Sequence, residues 1–114
     1  GNANLSHGKI AAKAAERDFG IKDREILDAI SYHTTGRADM GLVEKIVFLS
    51  DAIEPGRDYP GVSELRSKAM VDLDEACLMS LEGTIKLLKE QGIENIDEDT
   101  VKARNSLIER GKEE

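Results

Sequence analysis

The chain has no tryptophan, two tyrosines, two phenylalanines, two prolines and a single cysteine in 114 residues. With so few large rings, the apolar material is mostly Leu, Ile, Val and Ala, which suits helix-on-helix packing better than a β-sandwich core. One cysteine, Cys77, excludes an internal disulfide and fits a reducing compartment. Positive charge is also scarce: 16 Lys and Arg face 23 Asp and Glu, a net charge of −7 at pH 7. A broad basic surface for nucleic acid is therefore not expected. A phosphate-bearing ligand would have to be met by a metal or by particular Arg and Lys side chains. No apolar run approaches the roughly 18 residues of a membrane span, and no signal-peptide core is present. The expectation is a cytoplasmic protein without membrane contact, and the length suits one compact domain.

What is present is helical periodicity with clear punctuation. Ser6 is positioned to cap a helix whose face carries Ile10, Ala11, Ala14, Ala15 and Phe19, and Gly20 stops it. Asp23 can cap a second helix bearing Ile26, Leu27 and Ile30, running to about Thr34 before Gly36. A third, the most apolar, carries Leu42, Val43, Ile46, Val47, Leu49 and Ile53 in a wide stripe expected to be buried on most sides. Glu44 and Lys45 read as its solvated edge, and Pro55-Gly56 ends it after Glu54. Ser63 predicts the start of a short helix to about Val71. Asp72 or Asp74 predicts the start of a longer one, which Gly92 closes. Asp97 opens a last helix ending near Gly111. There is no strand alternation, repeat or low-complexity tract, so the class is all-α.

The chemistry concentrates in Tyr32-His33-Thr34-Thr35-Gly36-Arg37, followed by Asp51 and Arg57. His7, His33 and Asp51 each fall near the end of a predicted helix, where three helices can aim side chains at one point. Imidazole with carboxylate suits Fe, Mn or Zn; a hard-oxygen metal such as Mg would want more carboxylates. Asp51 follows Val47-Phe48-Leu49-Ser50 in the most apolar helix, where an unpaired charge would be costly without a metal or cationic partner. Each residue also has a plain structural reading. A histidine at a helix C-terminus can simply meet the dipole, an aspartate in a last turn can face solvent, and Arg57 can be a solvated loop charge.

The run Tyr32–Arg37, then Leu42-Val43-Glu44-Lys45-Ile46, Asp51-Ala52-Ile53-Glu54-Pro55-Gly56-Arg57 and Tyr59-Pro60-Gly61-Val62, resembles the YqeK family of HD-domain hydrolases. His7-Gly8-Lys9-Ile10-Ala11-Ala12 resembles the segment preceding these motifs. The resemblance implies an HD-domain-like helical bundle and symmetrical hydrolysis of diadenosine tetraphosphate to two ADP. It implies a divalent metal, iron first, with manganese or another transition metal as alternatives. Asp51 matches the last metal-ligating aspartate. His7 and His33 match histidines that hold a second ion or contact substrate phosphates. Thr34, Arg57 and Arg37 match positions near the ADP phosphates, and the Asn95–Thr100 segment, with Ile96 and Thr100, matches the nucleoside end.

The chain contains no His-Asp dipeptide. The resemblance therefore implies that residues 1–114 are the C-terminal portion of a single HD-type domain, with the leading helices and the main catalytic residues upstream. It does not imply that this chain is competent alone. Two further expectations stand beside it: another HD-domain nucleotide or phosphomonoester phosphohydrolase, or a non-catalytic helical interaction module. Without leading helices, the third helix would expose apolar surface and favour a homo-oligomer.

Overall fold

The structure, a computed structural model, describes residues 3–112, with side chains from residue 8 onward. Six helices follow in order: α1 (Ala3–Phe19), α2 (Arg24–Ser31), α3 (Leu42–Ile53), α4 (Val62–Ala69), α5 (Leu73–Glu90) and α6 (Glu98–Lys112). No strand occurs among the described residues, so the all-α expectation holds.

The caps explain most boundaries. Asp23 accepts the backbone N–H groups of Glu25 and Ile26 at the start of α2, Asp72 accepts from Glu75 at the start of α5, and Asp97 accepts from Asp99 ahead of α6. Each satisfies donors that the first helical turn leaves free. Three expectations shift. Ser6 lies inside α1, because Ala3-Asn4-Leu5 contains nothing to break the helix upstream. α2 ends at Ser31 rather than Thr34: residues 32–35 form turns, and Gly36, at φ +73°, closes them by donating to the Tyr32 carbonyl at 2.8 Å. α4 begins at Val62, because Gly61 at φ +93° makes the entry turn and leaves Ser63 in the first helical turn.

The main core gathers Met40, Phe48, Leu49, Leu65, Ala76, Cys77, Leu81, Ala103 and Leu107, joining α3, α4, α5 and α6. A smaller cluster of Ala12, Ala15 and Leu27, with Ile21 and Ile30 against it, fastens α1 to α2. α2 in turn packs on α3, and α1 has α2 as its one helix neighbour among the described residues.

α3 is turned around relative to the sequence expectation. Glu44 and Lys45 are buried at 4% and 6% exposure, whereas Leu42, Val43, Ile46 and Val47 lie between 38% and 64% exposed. The polar pair points inward because each charge has a partner there. Glu44 accepts from Arg37 Nε and Nη2, each at 2.6 Å, and from the Gly41 N–H at 3.2 Å. Lys45 Nζ meets Asp74 of α5 at 2.6 Å. Leu42, Val43, Ile46 and Val47 consequently face outward, while Leu49 of the same stripe stays in the core.

Cys77 has no exposed surface, and burial pushes its thiol up to about 12 from 9.0. Below pH 9 the thiol is neutral in folded and unfolded chains alike, so its contribution is intact there. Between pH 9 and about 12 the unfolded chain ionises first, and stability falls as pH rises. Relative to Cys77→Ala, the wild-type chain is expected to lose about 2 kcal/mol of additional stability between pH 8 and pH 10.5. Parallel denaturation curves at the two pH values would show that the buried thiol does not titrate this way.

Candidate functional site

The Tyr32–Arg37 turn leaves α2 as its helix ends and is gripped from three sides. His33 is half-buried, with Nδ1 at 2.7 Å from the Ile30 carbonyl. A carbonyl can only accept, so Nδ1 carries the proton and Nε2 is the nitrogen left for a ligand. Thr34 is exposed beside it. Thr35 is buried: its hydroxyl donates to the Gly36 carbonyl at 2.9 Å, and its own carbonyl accepts from Thr100 Oγ1 at 2.9 Å. That last bond ties the turn to the first turn of α6.

Arg37 closes the other end. Its guanidinium forms a two-pronged pair with Glu44, lies 3.7 Å from Asp28, and stands 5.7 Å from the Tyr32 ring centre. Hydrogen bonding to Glu44 raises its pKa further, so it is a permanent cation. Lys9 of α1 sits at the same 5.7 Å from the Tyr32 ring and reaches Asp99 of α6 at 3.8 Å. One residue earlier in α1, Gly8 packs against the end of α2 so closely that a Cβ there would lie 2.5 Å from the Ser31 carbonyl oxygen. His7 precedes Gly8 in α1, and its side chain lies outside the described residues.

The second part of the site is the exit of α3. Asp51 is exposed and pairs with Arg57 at 3.5 Å, and Arg57 also approaches Glu54 at 3.7 Å. The expected burial cost at Asp51 does not arise, because outward rotation of the apolar stripe carries this carboxylate to solvent. Three carbonyls at this exit, those of Ile53, Glu54 and Arg57, accept from Arg66 of α4 at 3.1, 2.9 and 2.7 Å. Tyr59 donates its hydroxyl to the Ala52 carbonyl at 2.6 Å. The loop carrying Arg57 is thus fixed at its backbone while the Arg57 side chain stays exposed.

The sequence-derived residues divide accordingly. The Thr35–Thr100 bond ties the turn bearing His33 and Thr34 to the start of α6, Ile96 is part-buried just ahead of that helix, and Asp51 and Arg57 pair at the exit of α3. Arg37 and Thr100, expected at substrate, have their polar atoms engaged within the protein. Glu44, Lys9, Gly8 and Arg66 were not singled out for the site. Glu44 could have been found as the carboxylate seven residues after Arg37, whereas Arg66 reads in sequence as an ordinary surface cation. Two open grooves lie elsewhere, one along α5 by Lys86, Lys89 and Arg104, the other by Asp39, Ser106 and Arg110; neither includes His33, Thr34, Asp51 or Arg57.

Among the described residues no three His, Cys, Asp or Glu side chains converge in the manner of a metal centre. Asp51 offers one carboxylate and His33 one imidazole nitrogen, short of the three protein ligands that a catalytic zinc-type site commonly needs. The described donors do not by themselves make up a metal site.

No family model matches the chain. A Bacillus subtilis (strain 168) protein named symmetrical bis(5'-nucleosyl)-tetraphosphatase is 39% identical over 94% of the chain. Its namesake from Halalkalibacterium halodurans is 42% identical over 91%. A crystal structure from Clostridium acetobutylicum, described as a predicted HD superfamily hydrolase involved in NAD metabolism, superposes with a TM-score of 0.87 at 46% identity, over 91% of the chain. The chain is a relative of the HD-superfamily hydrolases. It spans little more than half the length of these proteins, 57%, 55% and 55% in the same order. The helical bundle described above is the HD-type arrangement of the matched part, and the resemblance drawn from the Tyr32–Arg37 and Asp51–Arg57 motifs agrees with it.

Proposed function

We propose that this chain, residues 1–114, is the C-terminal portion of a single HD-type domain and supplies the phosphate-facing part of a metal-dependent phosphoanhydride hydrolase. The proposed reaction is symmetrical cleavage of diadenosine tetraphosphate into two ADP. The observation that carries this reading is the relation to two symmetrical tetraphosphatases over more than nine-tenths of the chain. The side chains that meet around the His33 turn, Lys9 between Tyr32 and Asp99 and Thr100 on the Thr35 carbonyl, support it.

In this reading His33, through Nε2, and the Thr34 hydroxyl contact phosphate oxygens. Arg57 exchanges its exposed carboxylate partners for a phosphate, a charge-assisted contact well suited to a guanidinium. His7 joins them on the α1 side, and Ile96 borders the nucleoside. Symmetrical cleavage requires attack at a phosphorus next to the central bridging oxygen, so a site that holds one ADP half sets the register. Asp51 is the proposed carboxylate ligand of a divalent metal, iron or alternatively manganese, completed by donors beyond the described side chains. The single reduced Cys77 supports a cytoplasmic setting.

Arg57→Ala is expected to weaken ADP binding about 10- to 100-fold, the worth of a charged hydrogen bond. Its fold is expected to be unchanged, since exposed ion pairs contribute little to stability. Calorimetric titration checks the first point and thermal unfolding the second. Turnover of diadenosine tetraphosphate to AMP plus ATP instead of ADP, or ADP affinity indifferent to Arg57, would overturn the assignment. The Clostridium relative's description points to a second reading, a hydrolase of another dinucleotide; a substrate panel that includes NAD separates the two.

The outward stripe Leu42, Val43, Ile46 and Val47 also supports self-association of this chain. Sedimentation is expected to show a dimer or larger species that Ile46→Lys returns to monomer; a wild-type monomer at high concentration sinks the idea.

A further inference from the structure

We infer that Thr100 is a positioning residue: its hydroxyl holds the backbone of the His33–Thr34 turn through the Thr35 carbonyl and thereby sets the direction of His33, without itself touching the nucleotide. This deepens the proposed function and rests on reading His33 as a phosphate contact.

A threonine hydroxyl has one proton to give. Thr100 is 7% exposed and gives its proton to the Thr35 carbonyl at 2.9 Å. Thr35 cannot serve the same end, because its own hydroxyl donates to the Gly36 carbonyl. The Thr35 residue is itself buried at 5% exposure, so its carbonyl requires a partner and Thr100 provides one.

The next residues of the same α6 face reinforce the arrangement. Ala103, one helical turn on from Thr100, has its Cβ 3.2 Å from where a Cβ on Gly36 would stand. The turn and helix α6 thus touch at consecutive points, Thr35 against Thr100 and Gly36 against Ala103, leaving the turn little freedom to rotate. His33 and Thr34 immediately precede the fixed carbonyl, so their side chains inherit its orientation. Thr100 also lies four residues after Ile96 and beside Asp99, which Lys9 reaches from α1. A ligand bordered by Ile96 and held at phosphate by His33 would therefore rest on two surfaces joined by this one hydrogen bond.

The test exploits the chain's having two histidines, whose ring resonances can be assigned by labelling. Thr100→Val keeps the side-chain shape and deletes the hydroxyl. It is expected to shift the His33 ring resonances in the ligand-free chain and to weaken ADP binding about tenfold. Thr100→Ser restores the donor and is expected to keep wild-type resonances and affinity. Unchanged His33 resonances in Thr100→Val overturn the inference. Altered resonances in Thr100→Ser do so too, and that arm stands even if the valine variant does not fold. Failure of the wild-type chain to bind ADP would count against the nucleotide reading alone, while the ligand-free resonances still decide the role of Thr100.

Discussion

Replacing Asp74 with alanine is expected to lower the free energy of unfolding by about 3–5 kcal/mol, the range seen when one partner of a buried ion pair is removed. Asp74 stands near the start of α5 and accepts two cations from two other helices. Lys45 Nζ of α3 lies at 2.6 Å and Arg110 Nε of α6 at 3.0 Å. The two cations differ in their need for it. Arg110 is 57% exposed and returns to water without difficulty, but the Lys45 side chain is 8% exposed and would be left buried without its carboxylate partner. The loss therefore comes from the stranded ammonium more than from the vanished attraction. Lys45→Met with Asp74→Leu is expected to recover most of it, since a hydrophobic pair of similar volume often matches a buried ion pair. Urea titration of the single and double variants gives the comparison. A single-variant loss below about 1 kcal/mol would mean that water reaches Lys45, as for an ordinary surface pair.

Lys45 also shows where sequence periodicity stops being informative. The stripe Leu42, Val43, Ile46, Val47 identifies α3 as a helix, but it cannot say which side the rest of this chain covers. Periodicity reports that a face is apolar; the partner is a matter of tertiary arrangement. Here α4 and α5 meet the opposite face, where Phe48 and Leu49 point. Glu44 and Lys45 are admitted because Arg37 and Asp74 arrive from elsewhere in the chain. The caps were more legible, because Asp23, Asp72 and Asp97 act on backbone groups two or three residues away. Ser6 and Ser63 misled for the same local reason: a serine can cap, but whether the helix has already begun is decided by its predecessors.

The site followed the same division. The turn bearing His33 was visible as a motif, and so was the loop bearing Arg57. What held them was not visible. Arg66 binds three carbonyls at the exit of α3 from nine to thirteen residues away in sequence, and Thr100 binds Thr35 across 65 residues. Main-chain acceptors leave no trace in side-chain pattern, so the donors that seek them look like surface residues. Arg37 and Thr100 illustrate this: their residue types suit phosphate recognition, and in the fold their polar atoms bond to Glu44 and to the Thr35 carbonyl.

Gly8→Ala is expected to release α1 from the site end of α2 despite being favourable for the helix itself. In an open helix, alanine is better than glycine by about 1 kcal/mol. Gly83 in α5 is such a case, with nothing within 4 Å of an added Cβ, and Gly83→Ala is expected to stabilise by up to that amount. At Gly8 the new carbon would stand 2.5 Å from the Ser31 oxygen and 2.9 Å from that of Ile30. These are backbone atoms at the end of a helix and cannot turn aside, so α1 must move. Overpacking of this kind costs about 1–3 kcal/mol, enough to outweigh the helical gain. Because α1 has α2 as its one helix neighbour among the described residues, the loss should fall on α1 and spare the α3–α6 core. Hydrogen exchange is expected to accelerate in α1 by tenfold or more, with amides of α5 unaffected. ADP affinity should fall with it, since Lys9 leaves Tyr32 and Asp99 together with the helix. Unaltered exchange in α1 of Gly8→Ala, alongside the stabilisation expected of Gly83→Ala, would show that the two helices have room to separate without cost.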